Sequence, residues 1–378
     1  MMDIRCDIIL PICDQLEFTR NCIDSIIAGT DIPYRIIVIN NGNSDDVRSY
    51  LSGIHDKIGE RILVVQNDHN VGWVKAVNQG FALSTAPFIC FQNDDTVVTK
   101  GWLTKMMAVF GKDKRIGLVN PAWEGRPEKM AIADYGAEIE RKYIGKYIET
   151  DWARGFSVVL KREVLEAIGG MDEIYGLAYF DDVDFSVRAI NAGFIVVVAL
   201  DTYVYHHRNV TAFQVFKGDR WRELHDKNQA ICYNRWGKPL RLVIILDKEG
   251  CRESAVFEKI KDTVYYLARK QHHIDLWMPC RRTDSIAHTN VDVKCHDPLW
   301  IYPSALADLY LNRLKKESKR YNAVFILSDK VYNFVTRSGW LDGIPVYGPP
   351  SGKDFSLMVR DRSDKIKEES KEFYRAKL

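Results

Sequence analysis

The sequence predicts an α/β chain of two domains, and three observations carry that reading. Short apolar runs alternate with helix-patterned stretches from Cys6 onward, the rhythm of a largely parallel sheet. Several of these runs stop abruptly in polar residues, as where Phe88 to Phe91 gives way to Gln92, Asn93, Asp94 and Asp95. The alternation then restarts after Gly237, Lys238 and Pro239. A buried strand ending in carboxylates has the form of the ligand end of an open α/β sheet, where ligands gather outside the carboxyl ends of strands.

Cys6 to Ile12 (CDIILPI) reads as a buried strand, and Asp14 with Glu17 has the spacing of a capping box opening a helix. Leu16, Ile23, Ile26 and Ile27 fall on one face of that helix, which Gly29 to Pro33 breaks. Tyr34 to Ile39 is a β-branched strand ending in Asn40, Asn41 and Gly42; a helix over Asp45 to Leu51 and a strand over Ile62 to Val65 come next. Val74, Val77 and Phe81 mark a helix opening near Gly72, where free N–H groups suit a phosphate or sugar hydroxyl. Taken alone, Asp95 and Thr96 read equally as the cap and first-turn charge of a helix. Phe156 to Leu160 and Phe194 to Val198, extended to Tyr205, are strands, and Phe213 to Trp236 is one or two helices. Asp184 and Arg188 stand at i and i+4, the spacing of a stiffening ion pair.

Beyond Pro239 the expected strands are Leu240 to Leu246, Ile274 to Pro279, Ala323 to Leu327 and Ile344 to Tyr347. Helices are expected over Glu253 to Lys270 and Ser304 to Arg320, with a solvated helix from Asp361 to Leu378. No GxGxxG or P-loop occurs there, so no motif supports nucleotide binding in this part.

With 378 residues and 46% hydrophobic content, the chain can bury two cores. Net charge is +2 from 53 basic and 51 acidic residues, and the basic residues are dispersed, which argues against nucleic acid. The eight cysteines show no CxxC pair, so reduced thiols in a cytosol are expected and structural zinc is not. No apolar run approaches the ~20 residues of a membrane span, and the N-terminus lacks a signal-peptide pattern. The expected location is cytoplasmic, with any membrane contact peripheral and at the inner face.

Seven blocks in order resemble the GT-A fold, family 2 inverting glycosyltransferases, including the rhamnosyltransferase-like enzymes. They are LPICD (Leu10 to Asp14), VINNGNSDD (Val38 to Asp46), NVGWVKAVNQG (Asn70 to Gly80) and QNDDT (Gln92 to Thr96). GFSVVLKREVLEAIGGMDE (Gly155 to Glu173), YFDDVDFSVRAINAG (Tyr179 to Gly193) and VYHHR (Val204 to Arg208) continue the series. The resemblance implies a Rossmann-like, nucleotide-diphosphosugar transferase domain over residues 1–238, followed by a smaller α/β domain over 239–378 for acceptor recognition or assembly. It also implies transfer of a sugar from a UDP- or dTDP-linked donor to a hydroxyl of a glycan or glycoconjugate, with Mn²⁺ or Mg²⁺ neutralising the leaving diphosphate.

Residue roles come from the same resemblance. Asp95 is the direct metal ligand, and His206 rather than His207 completes the shell. Asn93 stands where many members have Asp and serves as a neutral donor contact, and Asp94 beside it contacts the donor or caps the turn. Pro11, Ile12 and Asp14 lie beneath the base and ribose, and Asn40 holds the position of a base-binding Asp. Asn70, Lys75 and Asn78 flank the donor, Lys75 as a point charge toward phosphate. Gly155 admits the donor sugar, while Asp172 and Asp181 face the acceptor. Asp182 is the general base, since an inverting transfer needs one carboxylate to take the acceptor's proton. Two other classes compete. A sugar nucleotidyltransferase would show a Gly-rich basic loop after the first strand, which LPICDQLEF lacks; a non-catalytic sugar-nucleotide-binding module would not need Asp95, Asp182 and His206 together.

Overall fold

The computed structural model describes residues 5–207, 220–279, 286–296, 300–338, 341, 343–349 and 354–375. They form two compact units, Met1–Cys232 and Tyr233–Leu378. The division falls six residues before the expected 238/239 boundary, inside a helix that runs through it.

The first unit begins β1 (Cys6–Ile12), α1 (Leu16–Gly29), β2 (Tyr34–Asn40), α2 (Asp45–Ile58), β3 (Ile62–Gln66) and α3 (Trp73–Leu83). It continues with β4 (Phe88–Gln92), β5 (Thr96–Val98), α4 (Trp102–Val109), β6 (Ile116–Ala122), α5 (Ile132–Tyr143), β7 (Tyr147–Thr150) and β8 (Ser157–Lys161). It closes with α6 (Arg162–Ile168), α7 (Asp181–Asn191), β9 (Ile195–His206) and α8 (Arg220–Trp236). The start of the helix expected from Phe213 lies outside the described residues.

These strands make one nine-stranded sheet in the order β3-β2-β1-β4-β8-β6-β9-β5, with β7 also on β9. The first four run parallel, β8 is antiparallel to both neighbours, and β6 and β9 are parallel again. Continuous apolar runs suit strands covered on both faces, and β1 is buried at every position. Glycine at 80 lets α3 approach that sheet, because a Cβ there would sit 2.2 Å from Ile9. Strand β9 is long enough to serve twice: its first half pairs with β6 and β7, and its end pairs antiparallel with β5, setting Thr96 opposite His206.

Several local expectations are corrected. The Asp14–Glu17 capping box does not form; Gln15 is the N-cap and its side chain does not cap the helix, and Asp14, at φ 50°, instead accepts the Ser44 N–H at 2.7 Å. No helix starts at Asp95, because Thr96 opens β5. Cys6, Cys22 and Cys90 pack in the core as free thiols, but Cys251 is disulfide-bonded, against the expectation of reduced cysteines throughout.

The second unit has β10 (Arg241–Ile245), α9 (Lys248–Arg252), α10 (Ser254–Arg269), β11 (His273–Met278), β12 (Val291–Cys295) and α11 (Ile301–Asn312). It ends with β13 (Ala323–Ile326), α12 (Asp329–Ser338), β14 (Val346–Tyr347) and α13 (Phe355–Arg375). All pairs are parallel in the order β12-β11-β10-β13-β14, a doubly wound sheet with a core on each face. Among the described residues no helix is long and apolar enough to cross a membrane.

Two buried histidines give this unit a pH dependence. His272 Nδ1 accepts the Leu240 N–H at 3.0 Å and His288 Nδ1 accepts that of Asn290 at 3.1 Å, so both rings are held neutral. Burial depresses His272 well below its ordinary value and His288 to about 3. Above the unfolded value of about 6.5 neither state is charged; below it the unfolded chain binds protons that the fold refuses. Stability is therefore expected to fall with pH below about 6.5, by up to roughly 1.4 kcal/mol per pH unit for each histidine. Denaturant melts of wild type and His272→Gln, compared from about pH 7.5 to about pH 5, isolate the effect. A wild-type advantage that does not shrink on acidification would contradict it.

Candidate active site

At the carboxyl ends of β1, β2 and β4 the first unit opens a cleft of about 560 Å³, within the range of small-ligand sites. Pro11, Ile12, Asn70, Asn93, Asp94, Asp95, Gly155, Asp181, Asp182 and His206 all line it. Segments distant in sequence meet there because β4 delivers the acidic turn from the sheet centre while β9 and α7 return to it.

The acidic turn is fixed from behind by buried polar groups. Gln92 donates to Thr96 Oγ1 at 2.9 Å and accepts from Ser157 at 3.0 Å, Thr96 bonds back to the Asn93 carbonyl, and Asn93 N–H donates to Phe156 O. Asp94 turns toward α1, where Thr19 donates to it at 3.2 Å; burial, then the charge of Asp95, pushes it up to about 7. Asp95 is buried too, and its Oδ1 receives no hydrogen bond. His206 Nε2 stands 3.1 Å from that oxygen without hydrogen-bond geometry and 3.3 Å from the Asn93 amide, its ring stacked on Phe156 at 5.0 Å. A buried, unsatisfied carboxylate oxygen about 3 Å from an imidazole nitrogen fits two adjacent ligands of a small divalent cation. Among the described residues no group of three or more His, Cys, Asp or Glu could hold a metal. His207 packs against Phe18 and Tyr205 instead, and its N–H donates to the Asp95 carbonyl.

Asp182, also in the cleft lining, accepts the Gly155 N–H at 3.0 Å and the Val183 N–H at 2.8 Å. Burial raises it from its ordinary value, and burial with the Asp182 charge pushes Asp181 up to about 8, the Trp73 indole opposing the shift. Behind them Asp184 takes the Arg188 guanidinium at 2.8 Å and the Tyr175 hydroxyl at 3.2 Å, the expected stiffening pair.

The family model described as glycosyl transferase family 2 matches residues 7–164, from β1 into α6. Over that stretch the chain is similar to the family 2 glycosyl transferases. The match stops short of Asp181, Asp182 and His206. The domain is similar to the O-antigen biosynthesis protein RfbC of Myxococcus xanthus, 23% identical over 250 residues, 57% of this chain and 18% of that protein. It is similar also to the pre-mycofactocin glycosyltransferase of Mycobacterium tuberculosis, 24% identical over 196 residues, 49% of this chain and 39% of that protein. The chain spans only 24%, 18% and 31% of the length of three curated relatives. A mannosyltransferase from Pyrobaculum calidifontis, solved with GDP-Man and Mn²⁺, aligns over 98% of this chain and 86% of its own at 15% identity and a TM-score of 0.47.

Five residues assigned by resemblance do not line the cleft. Asn40 is wholly buried, bonded to Gln66 at 2.7 Å and to the Gly42 N–H at 3.0 Å, and the next residue, Asn41, borders the cleft instead. Asp14 ties its loop to Ser44, and Asn78 brackets the Met171 backbone with two bonds of 2.9 Å. Asp172 caps the short helical turn Glu173–Tyr175, and Lys75 lies exposed, 3.9 Å from Glu173. The first N–H groups of α3 are not free either: Gly72 donates to Asn70 and Trp73 to the Leu177 carbonyl.

The structure adds residues that no motif marked. Trp123 and Trp152 flank the Arg154 guanidinium at 4.3 and 5.2 Å beside Asp182, and one of its terminal nitrogens, buried, has no hydrogen-bond partner among the described residues. Tyr179 and Phe180 both adopt positive φ, 73° and 66°, an uncommon conformation for side chains of their size, directly before Asp181. Asn228 of α8 holds them there, donating to the carbonyls of Tyr175, Ala178 and Tyr179 at 2.7, 2.8 and 3.1 Å. Removing that clamp in Asn228→Ala is expected to cost about 1–3 kcal/mol of stability. Denaturant unfolding checks it; an unchanged midpoint would show that the loop holds itself.

Proposed function

We propose that the chain is a metal-dependent inverting glycosyltransferase that passes a sugar from a UDP- or dTDP-linked diphosphosugar to a glycan or glycoconjugate hydroxyl. The observation that carries this reading is that two acidic groups line one cleft, Asp95 beside His206 and Asp182 beside Asp181. The family match supports the transfer of a sugar; a cleft carboxylate besides the Asp95–His206 pair supports the inverting mechanism, which needs a base distinct from the leaving-group site.

In this reading Asp95 and His206 hold a Mn²⁺ or Mg²⁺, whose chemistry is neutralisation of the departing diphosphate. Pro11, Ile12, Asn41 and Asn70 form the nucleotide end of the cleft, with Asn93 and Gly155 near the sugar. Asp182 takes the proton of the acceptor hydroxyl as its oxygen attacks the anomeric carbon. Its two backbone N–H bonds fix the carboxylate's direction, and its raised affinity for protons brings it closer to the strength a base needs near neutral pH. Burial and the neighbouring Asp182 charge push Asp181 up to about 8, toward its neutral form. Trp123 and Trp152 offer apolar faces to an acceptor sugar, with Arg154 between them. The name of the Myxococcus relative supports a surface polysaccharide as the acceptor class. We assign acceptor recognition or assembly to the domain 239–378, and a cytoplasmic location with peripheral membrane contact to the whole.

Asp182→Asn is expected to keep donor binding and lose transfer by at least about a hundredfold. Asp181→Asn, which imitates the protonated acid, should keep most activity, and Asp95→Ala should weaken Mn²⁺-dependent donor binding itself. Nucleoside diphosphate release from a donor panel, with calorimetric donor titration, reads all three. Wild-type turnover by Asp182→Asn would remove the base assignment, and release of pyrophosphate in place of nucleoside diphosphate would point to a nucleotidyltransferase. A separate expectation concerns pH: because the Asp182 carboxyl is raised, the acidic limb of the kcat/KM profile should lie above the ordinary aspartate value of about 3.9.

A further inference from the structure

Helix α11 of the second unit is apolar on both sides, yet only one side is covered. Ile301, Ala305 and Leu309 point into the core between this helix and the sheet, with Asn312 buried at its end. The opposite face carries Trp300, Pro303, Ala307, Tyr310, Leu311 and Leu314, all exposed, at the three- and four-residue spacing of one helical stripe. Leu314, Trp300 and Leu311 are 76%, 66% and 57% exposed, far more than a buried-side pattern would leave. No charged residue interrupts this stripe between Trp300 and Leu314. An uninterrupted apolar face of this kind marks a contact surface.

The turn after the helix identifies the contact. Asn312 accepts the Tyr321 N–H at 2.8 Å and donates to the Lys319 carbonyl at 3.2 Å, so the chain turns back tightly beside the helix end. That turn carries Arg313, Lys315, Lys316, Lys319 and Arg320 against a single acid, Glu317. Lys315, Lys316, Lys319 and Arg320 are exposed. Basic residues set at the end of a solvent-facing stripe of Trp, Tyr and Leu have the composition of a helix that lies in the headgroup layer of an anionic bilayer. A second copy of the chain would bring two such basic turns together or leave them unused, and a nucleic acid would leave the leucines in water.

We propose that α11 and the turn to Arg320 attach this protein peripherally to an anionic lipid surface, the apolar stripe entering the headgroup region and the basic turn pairing with lipid phosphates. The inference rests on this unit alone and stands or falls separately from the glycosyl transfer reading.

The test is co-sedimentation of the full chain with vesicles of phosphatidylcholine alone and of phosphatidylcholine with about one-third phosphatidylglycerol. Binding is expected only to the anionic vesicles and should weaken with salt. Lys315→Gln with Lys316→Gln should lower affinity roughly 25-fold, about fivefold per lysine. Leu311→Asp with Leu314→Asp should abolish pelleting while the circular dichroism spectrum and melting temperature stay as in wild type, both side chains being exposed. Wild-type protein that stays in the supernatant with anionic vesicles, or a leucine variant that pellets normally, would overturn the proposal. So would a wild-type dimer in sedimentation velocity that the leucine variant breaks without any vesicle binding, which would assign the stripe to a second copy.

Discussion

Four carboxylates, Asp94, Asp95, Asp181 and Asp182, line one largely desolvated cleft, and the rest of the first unit is arranged around that cost. Burying like charges together is unfavourable unless protons or cations compensate them. Here the compensation is divided. Asp94 and Asp181 are driven toward their neutral forms, Asp182 is satisfied by backbone N–H groups and faces Arg154, and Asp95 keeps an oxygen with no hydrogen bond beside His206. Asp94 and Asp181, pushed toward neutrality, thus each adjoin in sequence another acid of the same cleft, Asp95 and Asp182.

The geometry that achieves the division comes from elements far apart in sequence. Strand β9 must be twelve residues long because it bridges the sheet interior at Val196 to Ala199 and the short β5 at its far end. That pairing alone sets His206 against the Asp95 turn. Elsewhere in the cleft lining the backbone of Tyr179 and Phe180 is held in a costly conformation by Asn228, whose amide would otherwise have no reason to be buried among carbonyls. Strain there directs the start of α7, and with it both acids, into the cleft.

Most of the sheet was legible in the sequence, because strands covered on both faces are written as unbroken apolar runs; β1, β2, β4 and β10 fall within a residue or two of their expected limits. The features that were not legible depended on distant partners. The three residues of β5 carry no pattern of their own and exist through β9, so Asp95 and Thr96 read equally as a helix start. The Asn40 assignment slipped by one position because adjacent strand-end residues point to opposite sides, and only the Gln66 bond decides which of Asn40 and Asn41 reaches the cleft. Asp14 and Asn78 sat in recognisable blocks but are consumed in tying loops together. Trp123, Trp152 and Arg154 converge from separate loops, and spacing along the chain gives no hint of that. A search for tryptophans near the strand ends around Gly155 was the one available signal.

Distant partners also decide the shape of α11. A helix was expected from Ser304 through Arg320, and the apolar spacing continues through Leu314, but the structure ends it at Asn312. Asn312 is a buried polar side chain on the inner face of that helix, and its amide satisfies one donor and one acceptor of the returning chain, which continuing the helix would leave without those partners. The break therefore has a physical cause independent of any surface role. Its consequence is that the basic residues, which a continuous helix would have spread around its circumference and carried farther from the stripe, are gathered into one turn at its end. An apolar face and a compact positive turn side by side form a surface with two complementary demands, and an anionic bilayer meets both at once.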